Sequence, residues 1–276
     1  MRSGSSSRAQ VVRFTDGVTV GGIEFQEVVT EEPLSIRLND QLVATTMRTP
    51  GHDFELAVGL CFSDRMITTA PSTIRYCGSG AAVETEFNVV SLAAAQADPR
   101  PRLASIGSSC GLCGTELLAT VTEGLTRLSP SVRCEVSKLA SIEVHVRDRQ
   151  RLFAATGGSH AAAVFDHEGD VKLVREDIGR HNAVDKVIGR LVLDGKIVRT
   201  HGASATKIPN PAGELGLWVS GRASLEILLK AWVAGFSTVV SVSAASALAI
   251  DTARRANIAL YGFARSSQAT AYQTST

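Results

Sequence analysis

Residues 11–47 alternate apolar and polar positions in short bursts, VVRF, VTVGGIEFQEVV, LSIRL and QLVATTM, broken by Asp-Gly, Gly-Gly, Glu-Glu-Pro and Asn-Asp. Period-two alternation between turn formers predicts a β-meander. The period then changes. In TPGHDFELAVGLCFSDRMI a Pro-Gly turn precedes Phe54, Ala57, Val58, Cys61 and Phe62, the i, i+3, i+4, i+7, i+8 spacing of one helix face. That helix is expected to dock on the strands, which makes Cys61 an inert core thiol. AAVETEFNVVSL reads as a strand, and AAAQADPRPRL, with two prolines and no apolar period, as a linker or exposed loop. A domain boundary is placed there, near residue 105. Leu117, Val121, Leu125 and Leu128 then mark a helix that begins just after Gly114.

From residue 152 strand and helix patterns take turns. LFAAT and HAAAVFD read as strands, HEGD as a hairpin turn, VKLVRE as a strand and NAVDKVIGRLVLDG as a helix. The end of the chain repeats strand LGLWVS, helix SLEILLKAWVA, strand TVVSVS, helix ALAIDTARRA and strand IALYGF. Such alternation implies a right-handed parallel βαβαβ unit. The expected fold class is therefore α/β in the C-terminal part (106–276) and α+β overall, with a small N-terminal α+β domain over 11–105.

Composition refines this picture in a few places. Twenty charge-free residues, 231–250, are long enough to span a bilayer. Gly235, the Ser/Thr residues and the β-branched STVVSVS instead point to a helix end, a buried strand and a helix start. At 276 residues, 44% hydrophobic and 20% charged, the chain fits a soluble two-domain protein with a substantial core. The net charge of +1 gives no global attraction to nucleic acid or to an anionic membrane, so neither is expected as a partner. MRSGSSSRAQ (1–10) lacks the apolar stretch of a secretory signal and reads as a disordered cytoplasmic start. Five cysteines make an odd number, which argues against a disulfide framework.

Ligands of a parallel α/β sheet bind beyond the carboxyl ends of its strands. Three loops fall at such ends: SGRAS (220–224), SAAS (243–246) and FARSSQ (263–268). In the first, Ser220, Arg222 and Ser224 open a helix, so hydroxyls, a guanidinium and free backbone N–H groups could converge on a phosphate. Arg265, Ser266 and Ser267 could reach the same anion. Arg222 could equally be a solvated first-turn residue. VREDIGRHNAVDK is the other dense polar cluster. There Arg180, His181 and Asn182 suit a base, a ribose or a partner surface, while Asn182 or Asp177 could simply cap the helix.

The remaining chemistry sits in SIGSSCGLCGTELLATV, where Cys110 and Cys113 stand three residues apart among glycines. Structural zinc would need further ligands near the pair, and none accompany it. A zinc deaminase would need an upstream His-x-Glu, and His52-Asp53-Phe54-Glu55 has the wrong spacing. A thioredoxin-like motif would follow a strand, not a Pro/Arg-rich linker. A nucleophilic or carrier thiol in an exposed, mobile loop remains, as does a pair of structural cysteines beside tight turns.

Taken together, MRTPGHDFELAVGL, CGLCG, REDIGRHNAVDKVIG, SGRASLEILLKA and SAASALAIDTA resemble the FdhD family, the formate dehydrogenase accessory sulfurtransferases, in the family's own order and over nearly the whole chain. The resemblance implies a cytoplasmic, dimeric sulfurtransferase with a C-terminal cytidine-deaminase-like three-layer α/β/α domain. It implies that Cys110 and Cys113 accept persulfide sulfur from a cysteine desulfurase. The sulfur then goes to the bis-molybdopterin guanine dinucleotide molybdenum cofactor, bound as a substrate, before its insertion into formate dehydrogenase. It implies no zinc. The family's cofactor loop maps onto Phe263, Ala264, Arg265, Ser266, Ser267 and Gln268, where serines and Gln268 replace a glycine-rich basic segment. His52 stands where an acidic residue is usual. A cofactor-binding chaperone without sulfur chemistry is the alternative.

Overall fold

The computed structural model describes residues 4–77, 87–101, 114–129, 136–199, 214–265 and 268–272. Its elements are β1 (Ser6–Thr15), β2 (Val18–Val29), β3 (Glu32–Leu38), β4 (Gln41–Arg48), α1 (Asp53–Ser63), β5 (Thr73–Tyr76), β6 (Val89–Ala93), α2 (Gly114–Val121), α3 (Val136–Arg147) and α4 (Arg151–Thr156). They continue with β7 (His160–Asp166), β8 (Val171–Asp177), α5 (Arg180–Leu193), β9 (Leu215–Val219), α6 (Leu225–Ala234), β10 (Thr238–Ser241), α7 (Ala247–Ala256), β11 (Ala259–Arg265) and β12 (Gln268–Tyr272).

A six-stranded sheet runs in the order β12-β11-β10-β9-β7-β8 and a four-stranded one in the order β4-β3-β6-β5. Within the larger sheet β9, β10 and β11 are parallel, as the alternation of strands and helices demands, while β7–β8 and β11–β12 are antiparallel. Side-chain alternation splits this sheet into two apolar faces. Ala162, Val164, Leu217, Val219 and Val239 meet α5, α6 and α7 on one face, and Ala161, Ala163, Phe165, Trp218 and Val240 meet Leu139, Ile142 and Val146 of α3 on the other. The first of these cores continues through α1 into Leu34, Ile36, Val90 and Leu92 of the smaller sheet. One hydrophobic cluster therefore serves both halves of the chain, and the expected boundary near residue 105 lies outside the described residues.

α1 and α5 pass at backbone contact. A Cβ on Gly59 would lie 1.8 Å from the Asp185 carbonyl oxygen, and one on Gly189 1.8 Å from that of Glu55. Charges trapped around this crossing are paired. Lys186 Nζ lies 2.7 Å from Asp177 Oδ2 and also donates to the carbonyls of Thr49 and Glu176. Lys230 Nζ is 2.9 Å from both oxygens of Asp185, which also accepts from Ser63 Oγ.

Several expectations need correction. The meander is two hairpins in different sheets, because β3 takes β6 as its other, parallel, neighbour. β1 begins at Ser6, inside the segment expected to be disordered, since pairing with β2 satisfies its backbone. LFAAT lies in helix α4, closed by Gly157 at φ 67. The run 231–250 divides into α6, β10 and α7, and no helix among the described residues is long and apolar enough to cross a membrane.

Candidate functional site

The strand-end loops do meet. Ala223 and Ala245 form a β-bridge, Ala223 N–H donates to Ala244 O, and Ser246 N–H donates to Ala223 O. Ser241 Oγ donates to Gly221 O at 2.7 Å, and Phe263 N–H reaches Ser243 O at 3.1 Å. SGRAS, SAAS and the start of FARSSQ are thus laced into one floor over the ends of β9, β10 and β11. The N-termini of α5, α6 and α7 open at the same edge, so free N–H groups and the positive ends of the helix dipoles gather there.

The side chains fall into different roles. Ser246 caps α7 by accepting from Ala249 N–H. Ser224 occupies the same position on α6, yet its hydroxyl caps nothing and is buried without a partner. Arg180, the first residue of α5, has a buried Nε that is also unpartnered. Its Cδ would lie 3.4 Å from a Cβ on Gly221, and His160 Nδ1 would lie 3.5 Å from it, so these groups line one side of the floor. Ser220 Oγ accepts from Ala161 N–H at 2.9 Å and lies 3.3 Å from His160 Nδ1. Burial and then the Arg180 charge push the His160 pKa down, against a smaller opposing pull from Asp177, which favours the neutral ring at pH 7. His181 Nε2 lies 3.3 Å from Glu226 Oε2. Arg222 is exposed on the rim.

Asn182 stands apart from this set. Its amide donates to Met47 O and Asp177 Oδ1 and accepts from Thr46 Oγ1, so its hydrogen bonds are spent on the joint between the halves. Neither it nor Asp177 caps α5, whose N-cap is Gly179. In the last loop Phe263 takes a left-handed backbone at φ 51 and stays 43% exposed, a strained position at a bulge in β11. Ala264 sends its methyl into the core, while Arg265 and Gln268 face each other across the hairpin. Ser266, Ser267, Cys110 and Cys113 lie outside the described residues.

A cleft of about 360 Å³ opens beside the floor, between α3, α4 and the sheet, with Arg147, Gln150, Phe153, His160, Trp218 and Ser220 in its walls. His160 was not singled out from the sequence. Its signal was a titratable residue at the first position of a strand whose end faces SGRAS. His52 acquires a role as well. It holds the left-handed N-cap of α1 at φ 56 and lies 3.5 Å from Glu55.

Comparison with known proteins bears on this arrangement. The FdhD/NarQ family model matches residues 29–276. The chain belongs to the FdhD/NarQ family. Among curated members of FdhD/NarQ, the sulfur carrier protein FdhD of Streptomyces avermitilis is 39% identical over 97% of this chain and 93% of its own length. That of Nocardia farcinica is 40% identical over 94% and 90%, and that of Mycobacterium tuberculosis 37% identical over 90% of each. The crystal structure of a candidate formate dehydrogenase accessory protein from Desulfotalea psychrophila superposes with a TM-score of 0.74 at 21% identity, covering 97% of both chains. The two chains thus share one fold.

Proposed function

We propose that the protein is a sulfurtransferase of formate dehydrogenase maturation, with Cys110 and Cys113 as its sulfur-carrying pair. The observation that carries this reading is the identity of 37–40% to proteins named sulfur carriers over nine-tenths or more of this chain. In the transfer from a desulfurase, a thiolate of the pair attacks the outer sulfur of the donor persulfide. The new S–S bond forms as the donor's breaks and the donor leaves as a thiolate, so no external oxidant or reductant is consumed.

The strand-end floor supports the second half of the reading. Arg180 Nε, Ser224 Oγ and the helix N-termini offer donors to an anionic ligand, and the bis-molybdopterin guanine dinucleotide cofactor, with its phosphates, is the substrate assigned to them. The Phe263–Gln268 hairpin borders the same floor. A cytoplasmic homodimer serving formate dehydrogenase completes the proposal.

Mass spectrometry after incubation with a cysteine desulfurase and cysteine tests the carrier step. The expected result is a gain of one sulfur atom that the Cys110→Ser/Cys113→Ser variant cannot acquire, together with loss of formate dehydrogenase activation. Full activation by that variant, with cofactor binding intact, would instead establish a chaperone. Arg180→Gln should weaken cofactor binding by roughly 1.5–3 kcal/mol, the scale of a charge-assisted hydrogen bond, and leave sulfur loading unchanged.

A further inference from the structure

Outside the strand-end floor, three arginines from separate stretches of chain are drawn together at the end of α1. Thr68 O accepts from Arg199 N–H at 2.7 Å, and Met66 O from Asp98 N–H at 2.8 Å. These bonds tie the chain after α5 and the 97–100 loop to the turn after α1, where Arg65 adopts φ 62. Arg65 Nη1 in turn donates to Glu123 O at 2.6 Å, fixing the turn after α2 to the same spot. The charges of Arg65 and Arg100 are close enough to Arg199 to lower its pKa further after burial has done so.

Such a cluster normally comes with carboxylates, and among the described residues one ion pair, Arg100 with Asp98, serves it. Arg199 lies over the Phe62 ring, 6.0 Å from its centroid, with Nη1 buried and unpartnered and no carboxylate within reach among the described residues. Arg65 gives one Nη1 hydrogen bond to a carbonyl and meets no carboxylate among the described residues. Arg100 meets Asp98 at 3.0 Å, but both are more than half exposed, so that pair contributes little. Asp64, next along the chain, lies 3.8 Å from Lys230. Guanidinium groups gathered at partial burial with so little counter-charge are unfavourable unless an anion joins them.

We propose that Arg65, Arg100 and Arg199 form a binding site for a phosphate group. Among the described residues Asp98 is the carboxylate that pairs with these three guanidiniums, and a phosphate dianion offers more compensating charge than a single carboxylate would. Its oxygens suit the planar fork of arginine, and the Phe62 ring holds that of Arg199 in orientation. The group is either inorganic phosphate or the phosphate of a larger ester. Arg100 stands ten residues before Cys110 in the sequence, so an occupied site would anchor the chain that leads toward the thiol pair. The inference does not depend on sulfur transfer, and its test involves none.

Thermal-shift and calorimetric titrations of the full chain with inorganic phosphate, and separately with ADP, decide the matter against sodium chloride at equal ionic strength. Saturable stabilisation by phosphate beyond chloride is expected, with affinity reduced tenfold or more in Arg199→Gln and several-fold in Arg100→Gln. Arg254→Gln, whose partner is the exposed Asp251, should bind as the parent does. Arg199→Lys should recover part of the affinity, because it restores charge without the fork. Binding of inorganic phosphate assigns a free anion, whereas Arg199-dependent binding of ADP alone assigns an ester. ADP binding lost in Arg180→Gln but kept in Arg199→Gln belongs to the strand-end floor and counts against this site. No stabilisation by either probe, or parental affinity in folded Arg199→Gln and Arg100→Gln, overturns the proposal.

Discussion

Glu55 shows how single residues at the joint set the response to acid. Burial alone would raise its pKa, but Arg175, bonding through both Nε and Nη2, and His52 outweigh burial and bring it down to about 2. Since the folded value lies below the unfolded one, Glu55 stabilises the fold fully above about pH 5. That contribution, roughly 3 kcal/mol, is lost as pH falls toward 2. Urea midpoints at pH 7 and pH 3 should therefore differ less in Glu55→Gln than in the parent. Lys186 gives a second case. Lys186→Met would leave the fully buried Asp177 without its ion pair and should cost about 3–5 kcal/mol by chemical denaturation. The sequence displayed VREDIGRHNAVDK as a ligand surface because a string of charges does not say which partners neutralise them. Met47, Thr49 and Glu55 lie more than a hundred positions away in the chain, and they turn most of that string inward.

Elements with many apolar contacts on one face were legible in advance. α1 and the succession from β9 to β11 have the periods and turn residues that the sequence announced. α3 and α4 did not. α4 is six residues, too short for period to separate helix from strand. α3 buries Leu139, Ile142 and Val146 but also exposes Val144, which blurs its apolar stripe. The crossing of α1 and α5 left no trace beyond two glycines, Gly59 and Gly189, each of which sits in a helix where glycine is intrinsically unfavourable. Gly59→Ala and Gly189→Ala should each raise helix propensity yet destabilise the protein, by about 1–3 kcal/mol or more, because the new methyl meets backbone that cannot turn aside. Thermal denaturation of the two variants checks the sign, which propensity alone would get wrong.

At the scale of the molecule, one apolar core passes through α1 into both sheets. Calorimetry of the described fold should accordingly show a single cooperative transition, with calorimetric and van't Hoff enthalpies in agreement; two resolved transitions would contradict the shared core. The candidate site was readable where it rests on topology, since strand ends gather loops by rule. It was unreadable where it rests on an unexpected side chain such as His160. The α1–α5 crossing also bears on communication across the molecule. α5 is a continuous rod whose first residue, Arg180, faces the strand-end floor, while Gly189, about 14 Å along it, is clamped to α1. A rod held that way cannot tilt at one end alone. If a partner gripping the N-terminal half shifts this rod, it and an anion bound at the floor would each change the other's affinity by the same factor.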